Sequence, residues 1–342
     1  MLPTVATWTF TNKCNLKCIY CANRGNHINS VEELSTHQKF KVAERLSSYN
    51  IKEIGLTGGE FFLAKDWQDI LKKLGDLDFD ISINSNGTLF SDRIIKVVEK
   101  YADKISNISV SLDGYNEEFH DRTRGKGTFA KTIYNLRSLK NENINFDINW
   151  NLTSDNYKHL TKMIDLCKDI GAKGLTISTL EPIGAGKLLD RNLFITSSQL
   201  ETFTQMFYNI YRSHEKNFNL SLNYPFSFLV DPNVLVPLIR EQRKTWENRH
   251  NCGIFSNRIF IDPAGNILPC NFIQEPTDNL LNTDLECIWG SKTAIEWRKI
   301  VQNRNKCEGC TYSDICVGCP AVALARTGDV GARDPLCSST RI

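Results

Sequence analysis

The sequence predicts an α/β fold, a partial (β/α)6 TIM-like barrel followed by a small cysteine-rich domain. Three observations carry this. Short β-branched runs alternate with stretches of helical period up to about residue 180. The connections between the runs are long enough for right-handed parallel crossovers. The cysteines, finally, cluster at the two ends of the chain. With 342 residues the chain exceeds what one core usually organises, about 250 to 300 residues. We therefore divide it into a barrel over residues 1–190, a bridge over 191–250 and a C-terminal domain over 251–342.

The predicted strands are Thr4–Phe10, Glu53–Leu56, Asp80–Ile83, Asn107–Leu112, Ile144–Leu152 and Gly174–Ser178. Helical spacing of apolar residues predicts helices over Val31–Ser48, Asp66–Leu74, Asp92–Tyr101, Phe129–Lys140 and Tyr157–Ile170. From Leu193 to His250 the period reads as helical, with breaks at Asn223-Tyr-Pro and Asp231-Pro. Arg258 to Cys270 reads as strand, turn, strand.

A net charge of +2 gives no electrostatic reason to expect nucleic acid or an anionic membrane as partner. No apolar run approaches the length of a membrane span, and the N-terminus lacks the basic-then-apolar pattern of a signal peptide. A cytoplasmic location is expected, and in that reducing compartment 12 cysteines point to metal ligation rather than to disulfides.

Cys14, Cys18 and Cys21 follow the first strand with the spacing Cys-x3-Cys-x2-Cys. Such a loop can hold three corners of a four-iron cluster and leave the fourth iron open to a ligand. Zinc is the alternative, but a structural zinc site closes with four ligands, and the nearest fourth candidate is His27. Ligands in parallel α/β folds bind at the carboxyl ends of strands, which is where this loop falls.

With Tyr20 just before the third cysteine, the motif resembles that of radical S-adenosylmethionine (SAM) enzymes. The resemblance implies that a [4Fe-4S] cluster on Cys14, Cys18 and Cys21 binds SAM, and that its reductive cleavage yields a 5′-deoxyadenosyl radical. It also carries SAM contacts onto this chain. Gly58, Gly59 and Glu60 match the element that holds the methionine amino group; two glycines permit close approach and a carboxylate accepts from an ammonium. Asn86, Ser111 and Asp113 end the third and fourth strands, where the family's polar side chains face the ribose and methionine. Arg124, chosen over Arg122, is expected to clamp the methionine carboxylate. Leu180 occupies the adenine-contacting position. The plain alternative for these segments is strand-ending turns.

The C-terminal cysteines Cys252, Cys270, Cys307, Cys310, Cys316, Cys319 and Cys337 resemble a SPASM domain, although Cys316 and Cys319 are one residue closer than usual. The resemblance implies two auxiliary [4Fe-4S] clusters, one on Cys307, Cys310, Cys316 and Cys337, the other on Cys252, Cys270 and Cys319. The second set lacks a ligand, and Asp262, Ser256, Cys287 or an open iron are the candidates. Cys167 and Cys287 otherwise read as small core residues.

Relatives of this kind act mostly on peptides, others on aminoglycoside- or sugar-type carbinols, with electrons from a donor such as flavodoxin or ferredoxin. The expectation is an oxidoreductase acting on a peptide, with a small-molecule substrate as alternative. Sulfatase-maturing relatives carry an aspartate after the second SPASM cysteine; Asn271 stands there and cannot act as a base. The barrel is expected to begin at Thr4, without room before it for a leader-gripping domain.

Overall fold

The computed structural model describes residues 2–25, 27–213, 217–223, 252–302, 316 and 318–337. Cys307, Cys310 and, of the expected bridge, residues 214–216 and 224–250 lie outside these residues.

Six parallel strands run in sequence order through the sheet: β1 (Val5–Thr11), β2 (Glu53–Gly58), β3 (Asp80–Ser85), β4 (Ile105–Ser111), β5 (Asp147–Leu152) and β6 (Gly174–Thr179). Each lies within three residues of its predicted bounds. Crossover helices α1 (Thr36–Ser48), α2 (Trp67–Asp76), α3 (Asp92–Lys100), α4 (Glu117–Arg124), α5 (Thr128–Asn141) and α6 (Leu160–Ile170) connect them. β1 is buried along nearly its whole length, as a parallel strand covered on both faces must be.

Three elements depart from the expectations. The period over residues 193–250 read as helical, yet after α7 (Ser197–Ser213) comes β7 (Asn219–Leu222), which extends the sheet parallel to β6. Its four residues are too few to show a strand period against the neighbouring helical one. Helix α4 was not expected, although its signals are present: the Asn116 side chain accepts from the Phe119 amide, two glutamates open the first turn, and Gly125 at φ +118 ends it. The predicted hairpin forms as β8 (Arg258–Ile261) and β9 (Asn266–Leu268), but β8 also pairs in parallel with β1. With β10 (Asp278–Asn279), the C-terminal strands thus continue the sheet on its β1 edge, in the order β10-β9-β8-β1-β2-β3-β4-β5-β6-β7.

The core follows β1 and β2. Trp8, Phe10 and Phe61 are fully buried and meet edge to face, and Phe61, Phe62 and Trp67 continue the array. Lys39 is buried with them, its ammonium 3.0 Å from Asp66 and 3.9 Å above the Phe10 ring. Phe61 and Phe62 directly follow Glu60, so their burial fixes the end of β2 against the first strand.

Beyond the sheet lie α8 (Leu285–Gly290), α9 (Lys292–Gln302) and α10 (Pro320–Thr327). Cys167 is fully buried in α6, as expected. Cys287 is exposed on α8, contrary to the core reading, because Leu285, Ile288 and Trp289 form that short helix's buried side. Among the described residues no helix is long and apolar enough to cross a membrane.

Candidate active site

β1 pairs regularly with β2 up to Thr9, and the register shifts before Thr11 meets Gly58. The chain leaves the sheet at that irregularity and enters the cysteine loop. The Gly59 amide donates to the Thr11 carbonyl at 2.7 Å and the Glu60 amide to the Lys13 carbonyl at 2.8 Å. A Cβ on Gly58 would sit 2.3 Å from the Thr11 oxygen, and one on Gly59 would sit 2.0 Å from the Lys13 oxygen. Gly58 also has φ +138. In this structure the glycines admit the cysteine loop itself, whereas the sequence suggested only the approach of a ligand.

The Glu60 carboxylate is fully buried and accepts from the Ser85 hydroxyl at 2.9 Å and the Asn86 amide at 2.7 Å. Burial nevertheless pushes its pKa up to about 7, the hydrogen bonds offsetting part of the desolvation. The Asn86 side chain donates to Asn15 at 3.0 Å and accepts from the Thr88 amide and hydroxyl, and Asn15 donates to Thr88 at 2.8 Å. Asn86 also lies 3.9 Å from the Cys14 sulfur. The end of β3 is thereby tied to the loop between Cys14 and Cys18. Neither Asn15 nor Thr88 was among the residues expected to contact SAM.

A second network fills the barrel end beside Cys18. Arg124 Nε lies 2.7 Å from Asp113 Oδ2, and its Nη2 reaches Asp113 Oδ1 at 3.3 Å and the Tyr20 hydroxyl at 2.6 Å. The Tyr20 hydroxyl donates to Asp113 and accepts from Asn151 at 3.2 Å. Thr123 donates to the same carboxylate, at 3.0 Å. Burial alone would raise Asp113, but the Arg124 guanidinium outweighs it and holds the carboxyl below its ordinary range. The Asp113 amide donates to His120 Nδ1 at 3.2 Å, and burial lowers that imidazole to about 4, leaving it neutral. Arg122 instead pairs with Asp155 at the surface. Ser111 is half-buried at the end of β4. Leu180 is buried after β6, its amide on the Leu152 carbonyl at 3.0 Å.

Burial raises the Cys14 thiol, and pushes Cys18 up to about 11 against the lowering influence of Arg124. Both feel Cys21, so the three sulfurs share one neighbourhood. Burial likewise pushes Cys270 up to about 11 and Cys319 higher still, and Cys319 feels both Cys270 and Cys252. Cys252, Cys270 and Cys319, which the SPASM resemblance assigns to one cluster, thus lie near enough to influence one another electrostatically. Cys316 and Cys337 are half-buried at either end of the segment that carries α10. Among the described residues no three His, Cys, Asp or Glu side chains converge as ligands of one ion do. Ligands of a cluster bind separate irons and need not converge in that way.

Asp262 does not fit as a fourth ligand. Its carboxylate accepts from the Ala264 and Asn266 amides and the Asn266 side chain, each at 2.8 Å, and closes the β8–β9 turn. Ser256 donates to the Cys252 carbonyl at 3.2 Å.

Comparison with known proteins agrees with this geometry. The family model described as the radical SAM superfamily matches residues 8–167, and one described as an iron-sulfur cluster-binding domain, SPASM, matches residues 252–311. The chain carries a radical SAM domain followed by a C-terminal SPASM domain, the two domains of a radical SAM iron–sulfur enzyme. Iron–sulfur clusters and SAM binding come with these two domains. Among its relatives, an AdoMet-dependent heme synthase of Methanosarcina barkeri is 26% identical over 98% of this chain and 96% of its own. The antilisterial bacteriocin subtilosin biosynthesis protein AlbA of Bacillus subtilis is 26% identical over 93% of this chain and 67% of its own. Among solved structures, Streptococcus suis SuiB bound to S-adenosylmethionine superposes with a TM-score of 0.80 at 16% identity, covering 98% of this chain and 77% of SuiB. SuiB bound to its precursor peptide SuiA gives 0.76 at 16% identity, over 100% and 76%. These structural likenesses bear on the fold.

Proposed function

We propose that this enzyme cleaves SAM reductively and uses the resulting radical to abstract hydrogen from a carbon of a peptide. The [4Fe-4S] cluster assigned to Cys14, Cys18 and Cys21 would supply the electron that breaks the SAM sulfonium bond. Two further clusters are assigned to the C-terminal cysteines, one to Cys252, Cys270 and Cys319, the other to Cys307, Cys310, Cys316 and Cys337. With Asp262 committed to its turn, an open iron or a ligand other than Asp262 completes the first of these.

The chain's own residues would act by positioning and by excluding water. Glu60, held by Ser85 and Asn86, presents its carboxylate to the methionine ammonium, and the gain of a cation would return it to the ionised state. Asp113 and Tyr20 lock the Arg124 guanidinium in place, and Nη1 is the edge we assign to the methionine carboxylate. Gly58 and Gly59 hold the cysteine loop against β2, while Asn86 and Ser111 border the ribose and Leu180 the adenine. Ten thiolate ligands suit a reducing cytoplasm, and an external donor of the flavodoxin or ferredoxin kind would supply electrons.

The observation that favours a peptide is the neutralisation of the buried cations. Arg124 is paired with Asp113, and Arg326 with Glu181, at the carboxyl ends of the strands. A substrate rich in carboxylates would have to compete with Glu181 at Arg326 and with the SAM carboxylate assigned to Arg124; an uncharged peptide segment would not. Likeness to the subtilosin biosynthesis protein supports the same reading. One observation favours a second reading, a tetrapyrrole substrate: the heme synthase relative matches this chain almost from end to end.

Reconstituted enzyme, SAM and dithionite should be incubated anaerobically with short peptides encoded beside the gene, with iron porphyrins and with aminocyclitols, and the products analysed by mass spectrometry. Loss of two hydrogens or a new crosslink on a peptide is expected. Turnover confined to a porphyrin or a carbinol would replace the peptide reading and leave the SAM chemistry intact.

A further inference from the structure

Two polar links join the C-terminal domain to the short stretch Cys21–Asn23. The first begins at Cys319, which precedes α10. Two turns along that helix, Arg326 Nε lies 2.6 Å from Glu181 Oε2, with both side chains largely buried. The other Glu181 oxygen accepts from Thr179 at 2.8 Å. Arg326 Nη1 also reaches the Ile195 carbonyl at 3.4 Å. Glu181 opens the loop after β6, and its carbonyl accepts from the Ile183 amide at 2.7 Å. That loop grips the cysteine loop, the Ala185 amide donating to the Cys21 carbonyl at 3.0 Å. A Cβ on Gly184 would come within 2.3 Å of the Ala22 oxygen, so the two loops are in backbone contact.

The second link begins at Cys270. Gln274, four residues on, donates through Nε2 to Asn23 Oδ1 at 3.2 Å and to the Asn271 carbonyl at 3.0 Å. Its Oε1 accepts from the Ile28 amide at 3.5 Å. Asn23 in turn donates to the Gly58 carbonyl at 3.0 Å. Two cysteines assigned to one auxiliary cluster are therefore each connected, through a single side-chain contact, to the residues beside one ligand of the SAM-cleaving cluster.

We propose that Arg326 and Gln274 are positioning residues that fix the auxiliary cluster of Cys252, Cys270 and Cys319 at a set distance and orientation from the radical site. Neither touches the reacting atoms. A buried pair whose partners come from distant parts of the chain holds one geometry, because breaking it strands a charge in the interior. The links also explain why Glu181 is buried at the barrel mouth although it is not among the residues expected to contact SAM. This inference rests on the cluster assignment, not on the identity of the substrate.

The test uses the full chain, reconstituted and reduced, with the double variant Arg326→Leu/Gln274→Ala and the conservative double variant Arg326→Lys/Gln274→Asn. Electron paramagnetic resonance reads the magnetic coupling between the two clusters, and hydrogen exchange reads residues 20–25 and 180–188. In the first variant we expect loss of the inter-cluster broadening and faster exchange confined to those two stretches, with iron content unchanged. The conservative variant should restore part of the broadening. Unchanged broadening in both variants, or exchange raised uniformly together with loss of iron, overturns the proposal. Should the first variant fail to fold, the conservative one decides: intact broadening there counts against positioning, and partial loss supports it. Absence of a peptide product affects none of these readouts.

Discussion

Arg124 and Asp113 form a nearly solvent-free ion pair, Nε to Oδ2 at 2.7 Å, on which Tyr20 from the cysteine loop closes. The carboxylate follows β4 and the guanidinium ends α4, so the pair joins one βα unit to the cysteine loop. Removing one member leaves the other charge buried and unpaired. Arg124→Ala should cost about 3 to 5 kcal/mol in denaturant unfolding of the metal-free protein. A loss under about 1 kcal/mol, the usual scale of an exposed pair, would show that water reaches Asp113.

Glu60 links the site to pH. Its folded pKa of about 7 lies above the ordinary carboxylate value near 4.5, so the folded state keeps a proton that the unfolded chain releases. Stability should therefore fall as pH rises through that window, by about 3 kcal/mol from this group, and stay level above it. In Glu60→Gln that slope should vanish. The same variant should bind SAM more weakly, by about 2 to 5 kcal/mol, since it loses the anion proposed to face the ammonium. Equal SAM affinity in calorimetry would remove Glu60 from the binding site.

Gly59→Ala places a methyl group 2.0 Å from the Lys13 carbonyl, a backbone atom that cannot swing aside. The cysteine loop must shift. Iron bound by the first site, and with it SAM cleavage, should drop sharply while the C-terminal iron remains. Gly290→Ala is the control, since a Cβ there meets nothing within 4 Å.

If three four-iron clusters form, reconstitution should give about twelve irons per chain, and about eight once Cys14, Cys18 and Cys21 are all changed to Ala. Zinc in place of iron in both proteins would contradict the assignment of all ten cysteines.

Asn271 stands where sulfatase-maturing relatives have a basic carboxylate. It lies beside Cys270, and Gln274 donates to its carbonyl. An amide takes no proton at neutral pH. Incubation with a sulfatase-type peptide should yield no formylglycine, and detecting that product would refute the inference.

Much of this protein was legible in the sequence because the relevant signals are local. Strand and helix periods placed the six parallel strands, and cysteine spacing together with Gly58-Gly59-Glu60 marked the first site. Asn116 and Gly125 already bounded α4, had its caps been weighed. Tertiary structure alone decided what lies far apart along the chain. β8 pairs with β1 across some 250 residues, and a strand carries no mark of the partner it will find in register. Arg326 meets Glu181, and Gln274 meets Asn23, because packing brings their elements together; neither pair has a sequence period. Asp262 shows the converse, a residue with the chemistry of a ligand that its own turn consumes through three hydrogen bonds. Residue type and spacing determine which groups can bind, but the burial and hydrogen bonding that leave a group available arise only when the chain has folded.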